Sequence, residues 1–104
     1  MAILKSYILG GTLKIYGESL NPLIPYKSLL LSIDDTAAFV VREILDKYGL
    51  ENENENDYCL VSVTCKESNN HKIESEEILQ QSDSPIQMLL KSNQNAGYIR
   101  FKVL

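Results

Sequence analysis

The 104-residue chain has no tryptophan, one histidine (His71) and two cysteines (Cys59 and Cys65). Two thiols and one imidazole cannot complete a four-ligand zinc site or hold an iron–sulfur cluster. The cysteines are six positions apart in a strand-like run, which at ~3.3 Å per residue separates them by roughly 20 Å, beyond disulfide reach. They read as small packing residues of a protein in a reducing cytoplasm. Nowhere does an apolar run approach the ~18 residues a membrane span needs. The opening MAILKSYIL is interrupted by Lys5 and is followed by no small-residue cleavage site, which argues against a signal peptide. No glycine-rich loop precedes a helix: Gly10-Gly11 leads into a strand and cannot aim a helix N-terminus at phosphate.

Positive charge is also scarce. The formal net charge is −4, a poor match to nucleic acid or an anionic membrane, both of which call for clustered cations. The balance is uneven. Residues 1–33 carry Lys5, Lys14 and Lys27 against Glu18 alone, whereas residues 34–70 set Arg42, Lys47 and Lys66 against nine acids. A local basic edge in the first third is therefore compatible with an acidic whole.

What is present is one domain's worth of regular pattern. A chain of this length buries roughly 65% of its unfolded surface, enough for one core and no more. Leu13 and Ile15 alternate with polar neighbours through Gly11–Gly17, the signature of a half-buried strand. Asn21-Pro22 and Pro25 make Glu18–Pro25 a loop. Tyr26–Ile33 is a second strand, antiparallel to the first. Asp34-Asp35 then offers an N-cap. Ala37, Val40, Val41, Ile44, Leu45 and Tyr48 follow at helical spacing, and Gly49 suits the left-handed position that ends the helix. The acidic run Glu51–Asp57 reads as a solvated loop. It lacks the glycine and the distal glutamate of a calcium-binding EF-hand loop. Tyr58–Cys65 is a third strand, apolar on both faces and hence covered on both. Lys66–Asn70 is a turn, and His71–Gln80 holds short strands around Ile73 and around Ile78-Leu79. Ser84-Pro85 starts a short helix with serine at the cap and proline at the first helical position. Ser92–Gly97 is a loop, and Tyr98–Leu104 is a final alternating strand.

The order ββαββ(α)β predicts an α+β fold, the ubiquitin-like β-grasp roll with a mixed sheet packed on one long helix. Catalytic constellations are thin. The single histidine has nothing to orient it, and an activated cysteine would need an exposed thiol in what reads as an apolar strand. A binding module remains, with a mechanism available to it: if the second strand lies at the sheet edge, its free backbone groups can accept a partner's strand.

Specific segments carry a family resemblance. Gly-Gly-Thr-Leu-Lys-Ile-Tyr at 10–16, Pro-Tyr-Lys-Ser at 25–28, Lys-Tyr-Gly-Leu-Glu at 47–51 and Asp-Tyr-Cys at 57–59 resemble Ras-association domains. The likeness is closest to the second such domain of the afadin/Canoe adherens-junction proteins, and Tyr-Lys-Ser and Asp-Lys-Tyr also resemble the domain of Ral exchange factors. It spans residues 10–104, leaving 1–9 as an N-terminal extension or linker. The resemblance implies an effector or adaptor domain without catalysis or cofactor. Such a domain binds GTP-loaded Ras- or Rap-type small GTPases by strand pairing, as part of a larger scaffold in signal transduction and cell adhesion. It would act in the cytoplasm, reaching cell junctions or the inner face of the plasma membrane through its partner. By residue match, Lys14, Lys27 and Lys47 fall at the family's basic contact positions. Tyr26 and Ser28 flank the paired backbone, and Arg42, about a helical turn before Lys47, is a fourth candidate contact. The competing reading is a ubiquitin-like structural domain with no GTPase partner, of which MAILKSYIL would be an interface. A conjugated modifier is set aside, because the chain ends Phe-Lys-Val-Leu without Gly-Gly.

Overall fold

The computed structural model describes residues 10–68, 70–91 and 98–104. The expected N-terminal extension at 1–9 and the loop at 92–97 lie outside the described residues. The elements run β1 (Gly11–Tyr16), β2 (Tyr26–Leu31), α1 (Ala37–Lys47), a 3₁₀ turn (Glu55–Asp57), β3 (Leu60–Ser68), β4 (His71–Ile78), α2 (Pro85–Lys91) and β5 (Tyr98–Val103). They form a five-stranded sheet in the order β2-β1-β5-β3-β4. β1 pairs with β5 in parallel, and all other neighbours are antiparallel. This is the ubiquitin-like roll, with α1 packed across one face.

The period of the apolar residues decides that packing. Val40, Val41, Ile44 and Leu45 of α1 are buried against Ile15, Leu29, Leu31, Leu60, Phe101 and Val103. Each strand contributes alternate residues to the face that meets the helix. The end of α1 follows its sequence: Gly49 has φ 74°, Gly49 N–H donates to Asp46 O and Leu50 N–H to Leu45 O. That pair of bonds is the Schellman closure, for which glycine is the least strained residue. The start of α1 differs from expectation. Thr36, not Asp34 or Asp35, is the N-cap, its hydroxyl accepting from Phe39 N–H at 3.2 Å. Asp35 is engaged one step earlier, accepting from Ser32 N–H at 2.8 Å to close the turn that follows β2.

Two further boundaries shift. β2 ends at Leu31, because Ser32 belongs to that turn. The expected turn at 66–70 is shortened, because β3 runs on to Ser68, which pairs with His71; Asn70 takes φ 67°, a left-handed conformation that asparagine tolerates. The two short strands expected in 71–80 are one continuous strand. β4 shows no apolar alternation because, as an edge strand, it is solvated on both faces. Its definition comes from the ladder with β3.

β3 is covered on both sides, as its sequence predicts. Leu60 joins the main core, while Val61, Val63 and Cys65 are buried on the opposite face. There the ion pairs Lys102–Glu76 (2.6 Å) and Arg100–Glu74 (3.9 Å) join β5 to β4 across β3, and their aliphatic stems shield the valines. Cys59 and Cys65 are free thiols. Among the described residues no helix is long and apolar enough to cross a membrane, and no group of three or more His, Cys, Asp or Glu is placed to hold a metal.

Candidate functional site

β2 has one neighbour among the described strands, so its other side is an open edge. Hydrogen-bond parity shows which groups that edge presents. Gly17 N–H donates to Pro25 O at 3.0 Å, and in this register Gly17 lies opposite Pro25. Bonded and non-bonded pairs alternate along an antiparallel ladder. Lys27, Leu29 and Leu31 therefore spend their backbone groups on β1, and the N–H and C=O of Tyr26, Ser28 and Leu30 point outward. The expectation named Tyr26 and Ser28; Leu30 completes the series. Its 81% exposed side chain is the sign that sequence reading missed, concealed in the run Leu29-Leu30-Leu31.

The three lysines straddle this edge instead of sharing one face. Lys14 lies opposite Ser28 on β1, and Lys27 lies opposite Ile15. Because Ile15 faces the helix, so does Lys27, and Lys14 faces away from it. On the outer face the Lys14 ammonium sits 4.8 Å from the centre of the Tyr26 ring. Tyr26 tilts against Tyr16 with ring centres 5.8 Å apart, and the Arg100 guanidinium lies 5.5 Å from the centre of Tyr16. The Lys14 ammonium thus rests on an aromatic face, which holds it without neutralising it, whereas Arg100 also pairs with Glu74.

On the helix side Lys27 lies 6.0 Å from the centre of the Tyr48 ring. Tyr48 follows Lys47 in the chain and fixes the C-terminal end of α1 to the β1–β2 loop. Its hydroxyl donates to Ile24 O at 2.6 Å, and its ring occupies the space where Gly17 has no side chain. Burial, helped by the nearby Glu18 carboxylate, pushes the Tyr48 phenol above its ordinary pKa and keeps it a donor. Tyr48 is thus the support of the site's helix side, a role its place in the apolar stripe did not distinguish from ordinary core. Among the described residues, Lys14, Lys27 and Lys47 form no ion pair.

Arg42 is placed elsewhere. Five positions at about 100° each set it roughly 140° around the helix from Lys47, on the opposite flank. All its N–H groups are engaged within the chain. They reach the Asp46 carboxylate at 3.0 Å, Glu55 at 2.7 Å, and the backbone oxygens of Leu50, Glu51 and Glu53. The Glu55 bond, with Asp46 adding to it, raises the guanidinium pKa further. Glu55 in turn is held below the usual carboxylate range, by its own backbone N–H first and by Arg42 second. The acidic run at 51–57 is therefore more ordered than a solvated loop. It is tied to α1 through Arg42, and Arg42 is not gathered with the lysines.

The arrangement suits strand addition: outward backbone groups, unpaired cations on both sides of them, and a rigid support beneath. Comparison with known proteins identifies the fold and the family. Solved structures similar to this chain include a domain of AFD-1, isoform a, from Caenorhabditis elegans, determined in solution and named as a candidate Ras interaction domain. It matches with a TM-score of 0.70 and 25% identity, covering 90% of this chain and 93% of that one. The Rasip1 RA domain matches with a TM-score of 0.66 and 28% identity, covering 90% of this chain and 85% of its own. The family model described as the Ras association (RalGDS/AF-6) domain matches residues 10–103. With nearly the whole chain matched, this protein belongs to the Ras-association domain family, whose members are non-catalytic interaction domains that generally bind Ras-family GTPases.

Proposed function

We propose that this chain is an effector or adaptor domain that receives the effector strand of a GTP-loaded Ras- or Rap-type GTPase on β2. The observation carrying this reading is the outward-facing backbone of Tyr26, Ser28 and Leu30 between unpaired lysines. Lys14 contacts the partner from one face, Lys27 and Lys47 from the other, and Tyr26 and Ser28 flank the joined backbone. Arg42 contributes by holding its own loop, not by direct contact. Residues 10–104 form the domain, and 1–9 are an extension of it. The resemblance of the segments at 10–16, 25–28, 47–51 and 57–59 to the second afadin/Canoe domain supports a scaffold role in adhesion signalling, with the domain brought to junctions by its partner.

Nucleotide discrimination follows from the partner. Switch loops are ordered by the γ-phosphate and its Mg²⁺, so a pairing-ready strand exists in the GTP state and is lost after hydrolysis. The domain reads the nucleotide without touching it. The lysines raise the association rate and set register, so binding weakens with salt. An interface of this kind is small, at or below ~1,200 Å², and reversible.

Calorimetric titration with GTP- and GDP-loaded Ras and Rap tests this. Wild-type protein binds the GTP form alone. Combining Lys27→Glu with Lys47→Glu lowers affinity by roughly two orders of magnitude, with little change in the thermal transition, because Lys47 is exposed, Lys27 is only half-buried and neither forms an ion pair among the described residues. Equal binding of both nucleotide forms, or unaltered affinity in the double variant, overturns the proposal.

A further inference from the structure

The sheet has a second open edge. β4 has only β3 beside it among the described strands, and parity again identifies its free groups. Leu79 N–H donates to Leu60 O at 2.9 Å, so even-numbered residues of β3 bond to β4. Ser62, Thr64, Lys66 and Ser68 therefore occupy Glu77, Ser75, Ile73 and His71, leaving the N–H and C=O of Lys72, Glu74, Glu76 and Ile78 outward. The two edges are opposite in charge. β2 carries Lys27 and has Lys14 behind it; β4 carries Glu74, Glu76 and Glu77 against Lys72.

We propose that a second copy of this chain occupies the edge, β2 of one molecule pairing antiparallel with β4 of the next, with Tyr26 opposite Ile78 and Lys27 opposite Glu77. Direction permits it. β2 runs against β1, β5 runs with β1, β3 runs against β5, and β4 runs against β3. β2 and β4 are thus antiparallel, and a neighbour displaced sideways meets β2 with its β4 in antiparallel sense and with the same face outward. Parity permits it as well: Tyr26, Ser28 and Leu30 would bond Ile78, Glu76 and Glu74 of the second copy, all of them outward-facing.

Side chains select the register. Lys27 and Glu77 both project on the helix side, and neither has an ion-pair partner among the described residues. In this register they occupy a non-bonded pair, where opposed side chains approach most closely. Glu77 lines a groove of about 430 Å³ beside α2, together with Asp83 and Lys91, which leaves room for the lysine. On the outer face Tyr26 and Ile78, 39% and 68% exposed, cover one another. A slip of two residues sets Lys27 against Ser75 or Leu79 and loses the charge pair. Pairing β4 with β4 sets glutamates together, so like edges are disfavoured where unlike edges match. The contact is heterologous, and sheet twist accumulated over five strands at roughly 20–25° each turns successive copies away from closure, so it extends as an open series. A GTPase on β2 would block it, yet self-pairing needs no GTPase and stands or falls separately.

Sedimentation velocity of the whole chain alone, from micromolar to millimolar at low and high salt, tests the inference. The weight-average mass rises with concentration at low salt and falls back toward the monomer at high salt. Lys27→Glu and Glu77→Lys each weaken association by about tenfold or more, and an equimolar mixture of the two variants restores it. Glu77→Lys leaves GTPase affinity unchanged, so loss of self-association and loss of GTPase binding are read separately. A monomer at every concentration, association indifferent to both substitutions, or variants that fail to rescue one another overturns the proposal.

Discussion

The molecule employs its cations in two opposite ways. At the corner where α1 meets the acidic run, Arg42 is a centre: two carboxylates and three backbone oxygens converge on one guanidinium. At the β2 edge, Lys14 and Lys27 lean on aromatic rings and Lys47 is exposed, and among the described residues none of the three forms an ion pair. A planar guanidinium with five fixed donors can organise a loop, whereas a flexible ammonium on an aromatic face stays available to an outside partner. The acids of residues 51–57 outnumber every nearby base, yet they do not neutralise the rim, because Arg42 holds part of that acidic run on the other flank of the helix. An acidic protein thereby keeps a basic edge.

The strongest way to break the distinction is at the joint beneath the rim. A Cβ at Gly17 would fall 2.6 Å from Cζ and Oη of Tyr48, far inside contact distance. The ring cannot swing aside without surrendering its 2.6 Å bond to Ile24 O. Gly17→Ala is expected to cost about 2 kcal/mol, as overpacking of a filled site does, and to displace Lys27 with the ring that supports it. Urea unfolding reads the first effect and GTPase titration the second. A variant of wild-type stability would show that Tyr48 yields freely and is not the support described.

Arg42→Gln gives a smaller and more local effect that sharpens the comparison. Removing the guanidinium releases the acceptors of Leu50, Glu51 and Glu53 together. Amide exchange across 51–57 should quicken markedly while the sheet amides stay protected. Affinity for a GTPase should change by less than about twofold, since only rim charges steer that encounter. A large loss of affinity with an undisturbed loop would return Arg42 to the binding surface.

These assignments also show where sequence is a sufficient guide. Leu13 and Ile15, the stripe from Ala37 to Leu45 and the Ser84-Pro85 cap are local statements: spacing or capping chemistry alone determines them, and the fold follows. Ser84 does accept from Gln87 N–H at 3.1 Å. The choice between Asp35 and Thr36 as cap is also local, but both residues qualify and only the turn after β2 decides. β4 was blurred because an edge strand solvated on both faces has no apolar period to detect. That Lys14, Lys27 and Lys47 sit on β1, on β2 and at the end of α1 is legible from spacing, but the division of Lys14 and Lys27 between two faces needs the β1–β2 register. The flank of Arg42 is hidden for the same reason: its chief partner, Glu55, is 13 residues away, and helical spacing from Lys47 measures distance along α1 but not the flank.

The smallest effect is in pH, and it tests the Arg42 corner without a GTPase. Glu55 has its pKa lowered from the usual 4.5. A carboxylate depressed in the folded state contributes stability that is complete above the unfolded value and is lost as pH falls through the folded one. Wild type should therefore exceed Glu55→Gln in thermal stability at neutral pH, with the gap constant down to about pH 5 and closing below 4.5. Because every other carboxylate titrates in both proteins, the difference between the two curves isolates Glu55. The same pair made in an Arg42→Gln background separates the two causes. The larger one, the bond from Glu55's own backbone N–H, survives that change, so the gap should narrow but persist. A gap that vanishes would mean that Arg42 alone holds Glu55 ionised. A gap of undiminished size would mean that the 2.7 Å ion pair contributes nothing to the corner, and that the loop is held by the backbone oxygens of 50–53 instead.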